Sequence, residues 1–146
     1  MYLVFVLIVA ADLGIKALVT HSLNGIHSMP IIKGVLYLSN IHNTGSAFGF
    51  FQGQRNALIL IGIVICIVVL HLYMITEEKE VLARFSLILI LGGSIGNLLN
   101  RIMLGYVIDY IDFRVLPVFN LADMAINAGV ALLIFDLFFK GRKCTL

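Results

Sequence analysis

The stretch ALILIGIVICIVVLHLYMI, Ala57–Ile75, decides the fold class. It carries no Asp, Glu, Lys or Arg over nearly the length that a membrane-crossing helix needs, about 20 residues. Three further apolar runs flank it: Met1–Val19, Val81–Leu99 and Leu121–Phe139. The spans are therefore read as about 1–19, 57–75, 81–99 and 121–139, in one membrane domain over 1–146. Composition agrees with this reading. Of the 146 residues 61% are hydrophobic and only 12% charged, where a soluble domain has about 45–50% and 25%. Mean hydropathy is +1.07. Too little polar surface remains to keep such a chain in water, and a net charge of +2 is too small for a phosphate-binding surface. A soluble enzyme, a disordered chain and a nucleic-acid binder are set aside.

Met1–Val19 resembles a signal peptide only superficially. It lacks a basic leader, and it carries Asp12 and Lys16 internally. The connections are unequal: Thr76–Glu80 is short, whereas 20–56 and 100–120 are long. Four spans put both chain ends and the short turn on one side. Lys79, Arg84, Lys140, Arg142 and Lys143 fall on that side; Lys33, Arg55, Arg101 and Arg114 fall on the other. The positive-inside rule then places the termini in the cytoplasm and the long loops outside. Within those loops Gly34–Ile41 alternates like a strand, Ser46–Phe51 is rich in aromatics, and Val107–Val118 reads as extended up to Pro117. A small sheet at the outer membrane surface is expected.

Cys66 and Cys144 make no disulfide framework, and His21, His27, His42 and His71 have no metal-ligand spacing. Strongly polar groups in or beside spans are the functional candidates. Asp12 and Lys16 share a helix face, either as a structural ion pair or as a contact that orients loops or substrate. Asp136 and Lys140 have the same spacing and read as structural. Gly92 and Gly96 stand in G-x-x-x-G spacing beside Gly93, a pattern that lets helices approach closely. Asn97 and Arg101 then share one face at the end of the third span. They hold a loop or bind a polar backbone.

Asp109, in Val107-Ile108-Asp109-Tyr110, and Asp123, at the start of the fourth span, both fall at the outer end. Asp123 has a structural alternative, a capping box with Asn120. Asp109 has another, a solvated loop acid, and Asp112 is a rival on the opposite face of the same strand. Two carboxylates held close share one proton, so that one serves as base while the other serves as acid. That arrangement hydrolyses a peptide without a covalent intermediate.

Together these residues resemble the lipoprotein signal peptidases (signal peptidase II) of bacteria, over essentially the whole chain. Asp12…Lys16 resembles the family's D-x-x-x-K box, and Asn43-Thr44-Gly45-Ser46-Ala47-Phe48 its N-T-G-[AS]-A-[FW] loop. Gly92-Gly93-Ser94-Ile95-Gly96-Asn97 with Arg101 resembles G-G-x-x-G-N-x-x-D-R. Val107–Tyr110 resembles V-[VI]-D-[FY], and Phe119-Asn120-Leu121-Ala122-Asp123 resembles F-N-x-A-D. The resemblance implies an all-α polytopic membrane protein, with four transmembrane helices, a small extracytoplasmic β-cradle and a short outer helix. It implies an aspartic endopeptidase with no metal or cofactor, in the bacterial inner membrane. This enzyme cuts diacylglyceryl-modified prolipoproteins just before the lipobox cysteine and acts as a monomer amid membrane lipid. By motif, Asp109 and Asp123 are the catalytic pair, and Asp112 falls outside the box. Asn43, Gly45, Asn97, Arg101 and Asn120 position substrate and pair, and Asp12 and Lys16 support them.

Two positions depart from the pattern. Asn100 stands where the family has Asp, and Ile15 where Ser or Thr usually precedes the lysine. Asn100 keeps the shape but loses a charge beside Arg101, which is expected to leave Arg101 unpaired and to lower activity. Two other functions compete: an inactive relative that binds the lipobox without cutting, and a small transporter using Asp12, Asp109 and Asp123. Against transport, these acids gather at one end rather than at the midplane.

Overall fold

A computed structural model of the chain describes residues 1–45 and 52–141, with the side chains of 140 and 141 left out. Four helices, α1 (Tyr2–Ser22), α2 (Arg55–Ile75), α3 (Val81–Met103) and α4 (Leu121–Gly141), are joined by β1 (Ser28–Ile32), β2 (Leu36–Asn43) and β3 (Val107–Asp112). All four helices are long and apolar enough to cross a membrane. In α3 61% of the most apolar window is buried, against 11–17% in the others. It is the central helix: α1, α2 and α4 all pack on it, and among the described residues the α2 backbone approaches no other helix closely.

The glycines explain how the backbones come so close. A Cβ on Gly92 would lie 3.1 Å from Ile8 Cγ2, and one on Gly96 2.5 Å from Asp12 Oδ2, so this pair faces α1. Gly93, about 100° round the helix from Gly92, has the Ala122 carbonyl of α4 where its Cβ would be. Gly129 of α4 answers it two turns along the seam, against the Ser86 carbonyl at 2.6 Å. Small residues thus serve two adjoining interfaces of α3, with α1 and with α4.

The helices overrun the expected spans. The third continues through Asn100 and Arg101 to Met103, because polar side chains end a hydropathy run without ending the backbone bonding of a helix. Its last carbonyls are satisfied from α2: Arg55 donates from Nε to Arg101 O (3.0 Å) and from Nη2 to Ile102 O (2.7 Å). A cation at a helix C-terminus also suits the helix dipole.

The sheet has the order β1-β2-β3, antiparallel throughout. Gly34, at φ +81°, turns β1 into β2, a left-handed conformation that glycine adopts freely. β1 was not expected from the sequence. It contains Pro30, and it sits at the edge, where a missing N–H costs no ladder bond. The extended run expected over Val107–Val118 stops at Asp112. There the Asp112 carboxylate accepts the Arg114 N–H (2.8 Å), and Arg114 adopts φ +64°. The chain loops out and returns at Phe119, which bridges to Ile111. Val19 and Leu23 of α1 pack with Tyr110 beneath the sheet and fix it to one end of the helices. The aromatic stretch Ser46–Phe51 and the basic tail Arg142–Lys143 lie outside the described residues. A short outer helix has no counterpart among the described ones.

Candidate active site

The polar residues singled out in the sequence meet at the sheet end of the helices. Asp109 comes from β3. Asp123 comes from the first turn of α4. Asn43 closes β2, Asn97 and Arg101 end α3, and Asp12 and Lys16 come from α1.

Asn120 ties the two acids together. Its side chain is fully buried. Its Nδ2 donates to Asp109 Oδ1 (2.6 Å), while its Oδ1 accepts the Asp123 N–H (2.9 Å). Asp123 Oδ2 accepts the Asn120 N–H in return (3.2 Å). The reciprocal capping bonds are therefore present, and they hold the same carboxylate that the paired-acid reading needs. The two readings of Asp123 are compatible.

Each acid has a second amide donor. Asn43 Nδ2 reaches Asp109 Oδ2 (2.8 Å), and Asn97 Nδ2 reaches Asp123 Oδ1 (2.7 Å). The orientation of Asn97 is dictated from α1. Lys16 Nζ donates to Asn97 Oδ1 (2.9 Å). An ammonium can only donate, so the Asn97 oxygen turns toward it and the amide nitrogen toward Asp123. Lys16 also pairs with Asp12 Oδ2 (2.7 Å), and Asp12 Oδ1 accepts the Ala122 N–H (3.0 Å). Lys16 is 1% exposed and Asp12 0%. The pair is a buried strut between α1, α3 and the start of α4, and Lys16 does not snorkel outward.

Asp109 and Asp123 line one cleft of about 920 Å³, with Asn43, Asn97 and Arg101. Burial pushes the Asp109 carboxyl up to about 6, and the nearby Asp123 charge adds to the effect, while the amides of Asn43 and Asn120 pull it back. Arg101 Nη2 donates to the Gly45 carbonyl (3.0 Å), and its Nε has no hydrogen-bond partner among the described residues. The Gly45 carbonyl is neutral, and among the described residues no carboxylate forms a salt bridge with this guanidinium. Asn100 itself points toward β3, where its Oδ1 accepts the Ile108 N–H (3.4 Å). Asp112 stands apart from the cleft, held by Ser39 Oγ (3.0 Å) and by Arg114. Asp136 is buried near the other end of α4, and the Lys140 side chain expected to pair with it lies outside the described residues. Among the described residues no three His, Cys, Asp or Glu side chains gather as a metal-binding group.

Sequence reasoning missed part of the cleft wall. Gln52, Met124, Asn127 and the segment Leu116–Phe119 all line it. Asn127 lies four residues after Asp123 and so shares its helix face, a signal that was available. His42 also lines the cleft and stacks on Tyr106 at 4.0 Å, a contact that no spacing announces.

Fold and site together define a multi-pass membrane protein with two aspartates held at one end of its spans. Comparison with known proteins makes the class specific. The family model described as Signal peptidase (SPase) II matches residues 4–139. The chain belongs to the signal peptidase II family, and so to the peptidases. It is 42% identical over 136 residues to the lipoprotein signal peptidase of Halothermothrix orenii, covering 93% of each chain. It is 37% identical to that of Moorella thermoacetica, covering 92% of this chain and 90% of the relative. A solved bacterial membrane enzyme, determined by the in meso method at 2.3 Å, superposes with a TM-score of 0.89 at 26% identity, over 96% of this chain and 88% of that one.

Proposed function

We propose that this protein is an aspartic endopeptidase that removes the signal peptide from diacylglyceryl-modified prolipoproteins, cutting just before the lipobox cysteine. One observation carries the reading: a single buried amide, Asn120, bonds to Asp109 and caps Asp123 on the wall of one cleft. Charge balance supports a shared proton. The cluster holds three carboxylates (Asp12, Asp109, Asp123) and two cations (Lys16, Arg101), so one proton on an acid makes it neutral. Burial raises Asp109, and the proposal places the shared proton there.

In this mechanism ionised Asp123 takes a proton from a water molecule as the water oxygen bonds to the scissile carbonyl carbon. Asp109 gives its proton to the carbonyl oxygen. On collapse the C–N bond breaks, Asp123 passes its proton to the leaving amine, and Asp109 recovers one from the diol. Arg101 and Asn43 face the substrate backbone. The acyl chains stay in the bilayer and the bond to be cut reaches the cleft at the extracytoplasmic face. Both termini are cytoplasmic, in the bacterial inner membrane, and the protein works as a monomer.

The test is cleavage of a diacylglyceryl-modified lipobox substrate by the purified protein in detergent, beside Asp109→Asn and Asp123→Asn, with a chelator present. Cleavage by the parent, lost in both variants and indifferent to chelator, is the expected result. Cleavage that survives either substitution refutes the pair. Binding without cleavage by the folded parent identifies an inactive relative instead.

A further inference from the structure

We propose that Arg114 is a positioning residue for substrate binding, clasping the loop 113–118 so that it stands as one wall of the cleft. The inference rests on the peptidase reading above. Leu116, Pro117 and Val118 line the same cavity as Asp109 and Asp123. Yet this wall is a loop with an apolar tip: Val115 is 86% exposed and Leu116 57%. Val115 and Leu116 pack on little of the protein, so the tip's own side chains do not hold the wall in place and contacts away from the tip must.

Phe113 stacks on Phe119 at 6.0 Å, and two polar anchors hold the loop besides. At its base Ile111 and Phe119 exchange both backbone bonds, Ile111 N–H to Phe119 O (2.8 Å) and Phe119 N–H to Ile111 O (3.2 Å). The second anchor is Arg114, beyond that base. Its guanidinium lies 3.8 Å over the Tyr37 ring, donates from Nη2 to Ser28 Oγ (2.7 Å) and pairs through Nε with Asp112 Oδ2 (3.4 Å). The clasp therefore reaches all three strands, with Ser28 on β1, Tyr37 on β2 and Asp112 on β3. Asp112 is fixed in turn by Ser39 Oγ at 3.0 Å. A planar, forked cation serves a ring and two oxygens at once, which a lysine cannot.

Arg114 holds φ +64°, a left-handed conformation that an arginine adopts at a cost and a glycine does not. The backbone alone favours glycine here, so the side chain is what the position uses. None of its partners bonds to Asp109 or Asp123. The clasp governs the wall and leaves the acids to Asn43, Asn97 and Asn120.

Arg114→Gly separates these roles, because it relieves the backbone while removing the clasp. Hydrogen exchange of the 112–119 segment, measured without substrate, should speed up while the thermal midpoint stays level. With the lipidated lipobox substrate, KM should rise about tenfold, the equivalent of about 1.4 kcal/mol, and kcat should stay within about twofold. Arg114→Lys, which returns a cation without the fork, should fall between. Tyr37→Leu, which removes the stacking ring, should raise KM in the same direction and serves if Arg114→Gly fails to fold. Unchanged KM with unchanged exchange overturns the inference, as does a fall in kcat at constant KM. A parent that does not cleave overturns the peptidase reading instead, and the substrate-free exchange measurement still decides the clasp.

Discussion

Gly93→Ala is the substitution whose consequence is most directly calculable. On an exposed helix this exchange gains up to about 1 kcal/mol of helix propensity. At Gly93 the new methyl would overlap the Ala122 carbonyl and stand 2.8 Å from Ile126 Cγ1. The carbonyl is backbone and cannot rotate away, so α4 must retreat by about 1 Å, and overpacking of this kind costs about 1–3 kcal/mol. With the propensity gain set against it, the net loss of stability is about 0–2 kcal/mol. Function suffers more, because Ala122 precedes Asp123, and Asp123 is held at 2.7 Å by Asn97, one turn above Gly93 on the opposing helix. Displacing one helix against the other stretches that bond, and a misplacement of about 1 Å costs about 10²-fold in rate. Gly14→Ala is the control, since its Cβ meets nothing within 4 Å; it should be neutral or slightly stabilising. The assay pairs thermal unfolding in detergent with cleavage of the lipidated substrate. A Gly93→Ala protein with parental rate and stability would refute the reasoning, and so would an equal loss in Gly14→Ala.

Titration of Asp109 should be visible in both activity and stability. With its carboxyl pushed up to about 6 in the free protein, kcat/KM should fall as pH rises above about 6; a flat profile from pH 5 to 8 contradicts the shared proton. The native state holds this proton to higher pH than the unfolded chain, whose carboxyl releases it near 3.8. Stability should therefore rise as pH falls from 7 toward 5, and Asp109→Asn should remove that dependence in thermal melts. Lys16→Met strands the buried Asp12 charge and should cost about 3–5 kcal/mol. Asp12→Asn combined with Lys16→Met should cost less than that single change, and a larger loss in the double variant counts against the strut. Asn100→Asp keeps the acceptor for Ile108 N–H and adds a charge beside Arg101; cleavage rate or melting temperature should increase, and a drop in both measurements rules this out.

The four spans were legible because a charge-free run of that length has few other uses. Their ends were less so. Asn97, Asn100 and Arg101 close the apolar run, yet α3 extends to Met103 because Arg55, distant in sequence, satisfies its final carbonyls. β1 was invisible, since Ser28–Ile32 holds a proline and little alternation, and it becomes a strand only by pairing with β2. Local spacing announced Asp12–Lys16 and Asn120–Asp123, both formed within one helix or its cap. It did not announce Lys16 to Asn97, which joins α1 to α3 across the bundle and orients the amide on Asp123. Contacts of that kind have no period. The wall at 116–119 was hidden for another reason: Asp112 bends the chain at Arg114, where the run Val107–Val118 read as extended up to Pro117.

The double duty of Asp123 bears on how such a protein decays when selection for its activity is relaxed. Asp123 starts a helix, so a lineage that needs only the folded chain still has reason to keep it. Asp109 offers no such protection, because its buried charge is a burden on the fold above about pH 6. Drift should erase Asp109 first and leave Asp123 standing. On the proposed pairing, an aspartate at the start of the last span in distant descendants testifies to ancestry, while one in the third strand testifies to continued work.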